Sequence, residues 1–369
     1  MIVGSVIELK ESEKRVGLIP THAQMYINNG HRVIVESGLG VASGFSDEDY
    51  SSIGAKVVKS AKEVWDVAEM IIKVKEPLPC EFDLMQKDQI IFTYLHLAAN
   101  YDLTKVLIDK GVKAVAYETI TNSENDLVLL RPMSEIAGKL SITEANKYLE
   151  SHYGGKGILL SGTSNVKPGH VLIVGVGSVG YSAMREAYNL GASITALVRS
   201  EEKRLDLLSK FNGDVEVLIS SEENIIESLK KADVVVSSVL VAGAKAQQLI
   251  KKDHLKLMEK GSVIIDVAID QGGSIETSRP TTHRNPIYIE DGIIHYCVAN
   301  MAGAVPKTAS VALGFETVKY GLLIANKGLE SAAKDDKGIK KGVNVYRGHL
   351  VNDQVGMGLG IESSKLKLI

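Results

Sequence analysis

Cysteine is scarce in this chain: two in 369 residues, Cys80 and Cys297, far apart and outside any C-x-x-C pairing. A disulfide framework is not expected, and a reducing, cytoplasmic setting fits the composition. Neither sign of charge dominates. With 42 basic and 45 acidic residues the net charge is −3, which leaves no basic footprint for nucleic acid. Long apolar runs are missing too. The longest uncharged one, Val234 to Ala244, falls well short of the ~20 residues that span a membrane. The opening segment, Met1 to Glu8, has no basic leader and meets an acid early, so no signal peptide is expected. No internal repeat or low-complexity tract is present, and no metal site is expected. The remainder, 45% apolar and 24% charged, is that of a soluble globular protein long enough for two domains.

The strongest positive signal is Val171-Leu-Ile-Val-Gly-Val-Gly-Ser-Val-Gly180. An apolar run leads into Gly175, Gly177 and Gly180, spaced G-x-G-x-x-G. A helical pattern, Tyr181 to Leu190, follows and stops at Gly191. A second β-rich run, Ser193 to Val198, comes next. Strand, glycine turn, helix and strand in that order read as a dinucleotide-binding βαβ unit. Gly175 allows the sharp turn, Gly177 lets backbone approach a pyrophosphate, and Gly180 lets helix and strand pack closely. The helix N-terminus offers free N–H groups and a partial positive charge to phosphates.

Elsewhere, short apolar runs alternate with helical patterns. Residues 2–9 read as a first strand, Pro20 to Asn28 as a helix stopped at Gly30, and His31–Val35 as the next strand. Runs at 57–58, 70–74, 90–95 and 113–117 continue the series, which predicts a parallel, doubly wound sheet. A long helical pattern starts at Ser134, read as an N-cap, and runs to about His152. Later runs at 232–240 and 261–268 extend the second unit, and Asp291-Gly292 marks a hairpin. From Ala309 to Lys327 the pattern is helical. The expected fold is α/β with two doubly wound, Rossmann-like domains. The nucleotide-binding domain, 131–304, is inserted into a discontinuous substrate domain made of 1–130 and 305–369.

Ligands of doubly wound sheets bind beyond the carboxyl ends of strands, so residues in the following loops are the candidates. Arg15 follows the first strand, Lys75 the run 70–74, His96 the run 90–95, and Asp270 the run 261–268. Two cations suit a carboxylate, and a histidine moves protons near neutrality. Each also has a plainer reading. Arg15 lies in the charge run Glu11–Arg15, Lys75 suits a strand edge, and Asp270 precedes paired glycines as turn residues do. On spacing alone, His96 between Leu95 and Leu97 reads as a satisfied core histidine.

Longer motifs carry a resemblance. Lys73-Val-Lys-Glu-Pro-Leu-Pro79, Phe92-Thr-Tyr-Leu-His-Leu-Ala-Ala99, Arg131-Pro-Met-Ser-Glu-Ile-Ala-Gly138, Ala268-Ile-Asp-Gln-Gly-Gly273 and His295-Tyr-Cys-Val-Ala-Asn-Met301 resemble the alanine dehydrogenase and pyridine nucleotide transhydrogenase family. The likeness covers nearly the whole chain. It implies reversible oxidative deamination of L-alanine to pyruvate and ammonium with NAD, in a homohexamer. It implies substrate contacts at Arg15 and Lys75, with His96 and Asp270 as catalytic residues. It implies cofactor contacts at Ser134, Gly175, Gly177, Ser178, Val179, Gly180, Val198, Lys203, Ser220, Val239, Leu240, Val267, Ala268, Ile269, Asp270, Arg279, Val298, Ala299, Asn300 and Met301. Two alternatives stand beside it: an NAD(H)-binding transhydrogenase-like subunit serving a membrane partner, and a dehydrogenase of another amino acid.

The chain departs from the family pattern in three places. The glycine turn carries Val176 and Val179 where small residues are usual, and Ala302 stands where proline is frequent. The largest departure is Val198, where the family places an aspartate. An NAD site ordinarily ends its second strand with an acid that bonds the ribose hydroxyls and repels a 2′-phosphate. Here that acid is missing and Arg199 is adjacent, so NADP use beside NAD is expected. Glu201 and Glu202, just beyond the strand, are the acids available to oppose it.

Overall fold

The computed structural model describes residues 1–239 and 248–368. They divide into two compact units, Met1–Met133 with Val305–Ile369, and Ser134–Ala304. In chain order the strands are β1 (Ile2–Ser5), β2 (Arg32–Glu36), β3 (Lys56–Val58), β4 (Met70–Ile72), β5 (Ile90–Thr93) and β6 (Lys113–Ala116). Next come β7 (His170–Val174), β8 (Ser193–Val198), β9 (Glu216–Ile219), β10 (Val234–Ser237), β11 (Val263–Asp266), β12 (Ile287–Glu290) and β13 (Ile293–Tyr296). The last two are β14 (Val343–Tyr346) and β15 (His349–Leu350).

In the first unit the sheet order is β15-β14-β6-β5-β4-β1-β2-β3. Strands β1 to β6 pair in parallel, and β14 and β15 add antiparallel at one edge. Parallel neighbours need crossovers, supplied by helices such as Pro20–Asn28 and Tyr101–Asp109. The inner strands β4, β5 and β6 are buried along their whole length, as a sheet covered on both faces requires. Helix Pro306–Lys327 contributes Leu313 and Ile324 to the same core as Tyr26 and Phe92. It approaches so closely that a Cβ on Gly321 would lie 1.9 Å from the Tyr26 hydroxyl. The trailing helices thus share a core with the first strands, and the chain end also adds the two strands β14 and β15.

In the second unit the order is β12-β13-β11-β10-β7-β8-β9, parallel throughout except for β12. Counted from β7, the parallel strands follow the 3-2-1-4-5-6 order of a dinucleotide-binding sheet. The β12–β13 hairpin turns on Asp291 (φ 50) and Gly292 (φ 83), the positive-φ pair of a type I′ turn.

Both sheets reverse direction once, between β1 and β4 and between β7 and β10 respectively. Such a switch point opens a crevice at the carboxyl ends of the strands.

Three local expectations shift. Strand β1 ends at Ser5, because its ladder with β2 stops there, and residues 6–9 leave the sheet as a loop. The helix after the glycine turn begins at Ser178 with Gly177 as its N-cap, so the turn supplies the first helical residues. Ser134 is not an N-cap. The helix spans Arg131–Tyr148, with Pro132 accommodated in its first turn, and Ser134 lies inside it. Among the described residues no helix is long and apolar enough to cross a membrane.

Candidate functional site

The switch point of the first unit gathers residues from four loops. The loop after β1 brings Glu8, Glu13 and Arg15, and the loop after β4 brings Lys73, Lys75 and Glu76. Those after β5 and β6 bring His96 and Glu118. Arg15 is no member of a solvated charge run, because only 4% of it is exposed. Its Nε donates to Glu13 Oε1 at 2.7 Å, its Nη2 pairs with Glu13 Oε2, and its Nη1 meets Met133 Sδ at 3.0 Å. The fork that would grip a carboxylate bidentately is engaged by Glu13, which fixes the guanidinium plane.

Lys75 sits beside this pair. Burial, together with the neighbouring charges of Arg15 and Lys10, holds its ammonium below the ordinary lysine value. Among the described residues the ammonium makes no hydrogen bond or ion pair. Beneath it, Lys73 is fully buried and shared by Glu81 at 3.0 Å and Glu8 at 3.3 Å. Burial pushes the Glu8 carboxyl up, partly offset by Lys73 and by the Val74 N–H that Glu8 accepts. This network ties the backbone on either side of Lys75 to the loop after β1. An unpaired cation among satisfied charges is suited to an anionic oxygen brought by a ligand.

His96 is the exposed group of the cluster, its side chain 48% exposed. The core reading that spacing favours is overturned, and the reason is the backbone. His96 adopts the left-handed conformation (φ 50, ψ 38), which turns the ring out between two buried leucines. Glu118 holds that turn by accepting the Leu95 N–H at 3.1 Å and the His96 N–H at 2.6 Å. Glu76 Oε2 lies 3.5 Å from His96 Nδ1, and Glu76 Oε1 accepts Lys10 Nζ at 2.6 Å. Burial alone would raise the Glu76 carboxyl, but His96, Lys10 and its own N–H outweigh it and bring it to about 2. A carboxylate facing Nδ1 favours the proton there and leaves Nε2 as the acceptor. Neither Glu76 nor Glu118 stands out in the sequence as a site residue. The one available sign is that each follows an apolar run.

The second unit offers a cradle at its own switch point. Gly175 has φ 85, and a Cβ on it would meet Val239 at 3.1 Å. A Cβ on Gly180 would lie 2.0 Å from the Gly175 carbonyl oxygen, whereas one on Gly177 would meet nothing within 4 Å. The turn is therefore closed on its protein side and open above Gly177, where the N-terminus of helix Ser178–Leu190 points. Ser238 Oγ braces the turn by donating to the Gly175 carbonyl at 2.8 Å. A cavity of ≈ 810 Å³ runs on from it, lined among others by Val198, Arg199, Lys203, Ser220 and Val239. The donor set and the open backbone fit a dinucleotide pyrophosphate.

Of the expected cofactor residues, Gly175, Gly177, Val198, Lys203, Ser220 and Val239 line this cavity. Leu240 lies outside the described residues. Ser178, Val179 and Gly180 form the adjoining helix start, and Gly138 of helix Arg131–Tyr148 packs there, its Cβ position 2.3 Å from the Val179 carbonyl. Val267, Ala268, Ile269 and Asp270 form a 3-10 turn after β11. The buried Asp266 clamps that turn, accepting N–H bonds from Ala268, Ser274 and Ile275. Asp270 itself is exposed. Arg279 stacks over the Tyr288 ring at 3.9 Å, and Val298, Ala299, Asn300 and Met301 follow β13.

These features define a class: an α/β protein with two Rossmann-type sheets, one carrying a phosphate-cradling glycine turn and the other a cation and histidine cluster. More narrowly, the chain belongs to the alanine dehydrogenase/PNT family. Its residues 4–137 match the N-terminal domain of that family and 141–353 the C-terminal domain. It is 47% identical to alanine dehydrogenase of Methanococcus maripaludis over 96% of this chain and 95% of that one. It is 46% identical to alanine dehydrogenase of Bacillus subtilis over 98% and 96%. A solved L-alanine dehydrogenase superposes with TM-score 0.94 at 44% identity, covering 98% of this chain and 99% of that one. A transhydrogenase from Sinorhizobium meliloti shares the fold at TM-score 0.82 and 20% identity, over 95% of this chain and 99% of that one.

Proposed function

We propose that this chain is an L-alanine dehydrogenase, interconverting L-alanine and pyruvate plus ammonium with a pyridine dinucleotide, NAD foremost. The observation that carries the reading is the first-unit cluster: an unpaired Lys75 ammonium and an outward-turned His96 at one switch point, in a chain of this family. The substrate domain is taken as 1–133 with 305–369, and the nucleotide domain as 134–304.

Lys75 and the fixed Arg15 charge hold the substrate carboxylate and the nearby carbonyl oxygen. His96 Nε2 takes the ammonium proton, because hydride leaves more readily from a carbon bearing a neutral amine. The nicotinamide of bound NAD supplies the hydride acceptor. Water adds to the resulting iminium carbon, and His96 returns a proton as the carbinolamine collapses to pyruvate and ammonia. The resemblance of Ala268–Gly273 also implies a catalytic role for Asp270. The resemblance also supports a homohexamer, and the two free thiols, Cys80 and Cys297, suit a cytoplasmic setting.

The test is reduction of NAD at 340 nm with L-alanine and with larger amino acids. Alanine is expected to be used best. Preference for a larger side chain would support a different amino-acid dehydrogenase, and nucleotide binding without turnover would support the transhydrogenase-like alternative.

A further inference from the structure

We propose that the cavity beside β8 accepts a phosphate on the adenosine 2′ position, so that the chain binds NADP as well as NAD. This deepens, and rests on, the dinucleotide reading above. In a sheet of this order the second strand ends beside the adenosine ribose, and an acid there both bonds the ribose hydroxyls and repels a 2′-phosphate. Strand β8 ends instead in Val198, apolar and 3% exposed. Among the described residues, the charged side chains lining the cavity are Arg199, Lys203, Lys251 and Glu222, three cations against one carboxylate.

The carboxylates nearby are already engaged or turned elsewhere. Glu222 answers Lys251 at 3.1 Å. Glu201 is gripped by Arg204 through Nε and Nη2, and neither Glu201 nor Glu202 lines the cavity. The two acids that directly follow the strand end, Glu201 and Glu202, therefore do not line the cavity. Lys203 is shared with Asp206 at 3.3 Å, both half-exposed. Arg199 is exposed and makes no hydrogen bond or ion pair among the described residues. Its planar fork matches two phosphate oxygens. Ser200 lines the cavity while its Oγ accepts the Lys203 N–H at 3.3 Å, which leaves the hydroxyl proton to donate. Ser220 and Ser221 complete the polar lining. Among the described residues, arginine, lysine and hydroxyl groups, with the one lining carboxylate, Glu222, already paired to Lys251, form a phosphate subsite.

Titration calorimetry with two probes separates this subsite from the rest of the cofactor site. Adenosine 2′,5′-bisphosphate and 5′-AMP differ only in the 2′-phosphate. The wild-type chain is expected to bind the bisphosphate at least as tightly as 5′-AMP, with the preference shrinking as salt is raised. Arg199→Ala is expected to weaken the bisphosphate about tenfold or more, the scale of one charge-assisted bond, and to change 5′-AMP by less than about threefold. Rejection of the bisphosphate by a wild-type chain that binds 5′-AMP would overturn the subsite alone. Equal losses for both probes on Arg199→Ala would do the same. Binding of neither probe would contradict the dinucleotide reading itself.

Discussion

Replacing Glu118 with alanine probes how His96 is held. Its carboxylate accepts two backbone N–H groups, from Leu95 at 3.1 Å and from His96 at 2.6 Å. Hydrogen bonds to a charged acceptor contribute about 1.5–3 kcal/mol each, and the His96 amide recovers part of that from water. The expected loss of stability is therefore roughly 2–3 kcal/mol. The functional effect follows from the left-handed backbone of His96, at φ 50. That conformation costs a non-glycine residue about 1–2 kcal/mol, so without Glu118 the turn relaxes and the imidazole leaves its place. A penalty of that size corresponds to about a 5–30-fold drop in kcat. Glu118→Gln keeps one acceptor oxygen and should fall between the wild type and the alanine variant. Urea unfolding, kcat with L-alanine and NADH affinity would be measured on the same preparations. A kcat for Glu118→Ala within twofold of wild type, alongside the expected loss of stability, would refute the positioning role.

Other expected outcomes concern neighbouring groups. Lys75→Ala should raise the KM for pyruvate while leaving NADH binding nearly intact, and loss of NADH binding would put Lys75 in a different site. Glu76 titrates near 2 against an ordinary value of 4.5, so its pairing stabilises the fold above about pH 4.5 and is lost as pH falls toward 2. Glu76→Gln should be less stable by about 2 kcal/mol at pH 7, allowing for solvent screening, with the gap closing toward pH 2–3. A gap that stays constant in urea titrations at both pH values would contradict this. Gly180→Ala places a Cβ 2.0 Å from the Gly175 carbonyl oxygen and should weaken NADH binding more than tenfold, roughly the effect of displacing one cradle contact. Wild-type NADH fluorescence titrations for that variant would show the turn to be dispensable.

Sequence legibility followed the range of the interactions involved. The glycine turn, the Asp291-Gly292 hairpin and the alternation of strands with helices rest on local backbone preferences, and each reads directly from a few adjacent residues. The placement of Lys75 and His96 beyond strand ends was legible for the same reason. What holds them was not. Glu118 reaches the His96 backbone from the loop of a neighbouring strand, and Glu8 accepts the Val74 N–H from the loop after β1. Such carboxylate contacts leave no periodicity in the chain. Arg15 stands among charges, as a solvated residue would, yet one of them, Glu13, is the partner that lets it be buried. Helix Arg131–Tyr148 starts ahead of Ser134, which imitates a cap, because Pro132 is tolerated in its first turn.

Under the proposed function, the histidine at the first unit's switch point moves the substrate proton during alanine oxidation. The most direct measurement is steady-state turnover of His96→Ala beside the wild type, with L-alanine and NAD at saturation, and NADH affinity measured on both proteins. The wild type should reduce NAD, and the variant should lose about 10²–10⁴-fold in kcat, the scale of a general acid/base, with NADH affinity unchanged. Near-normal turnover by the variant would contradict a proton-transfer role for His96.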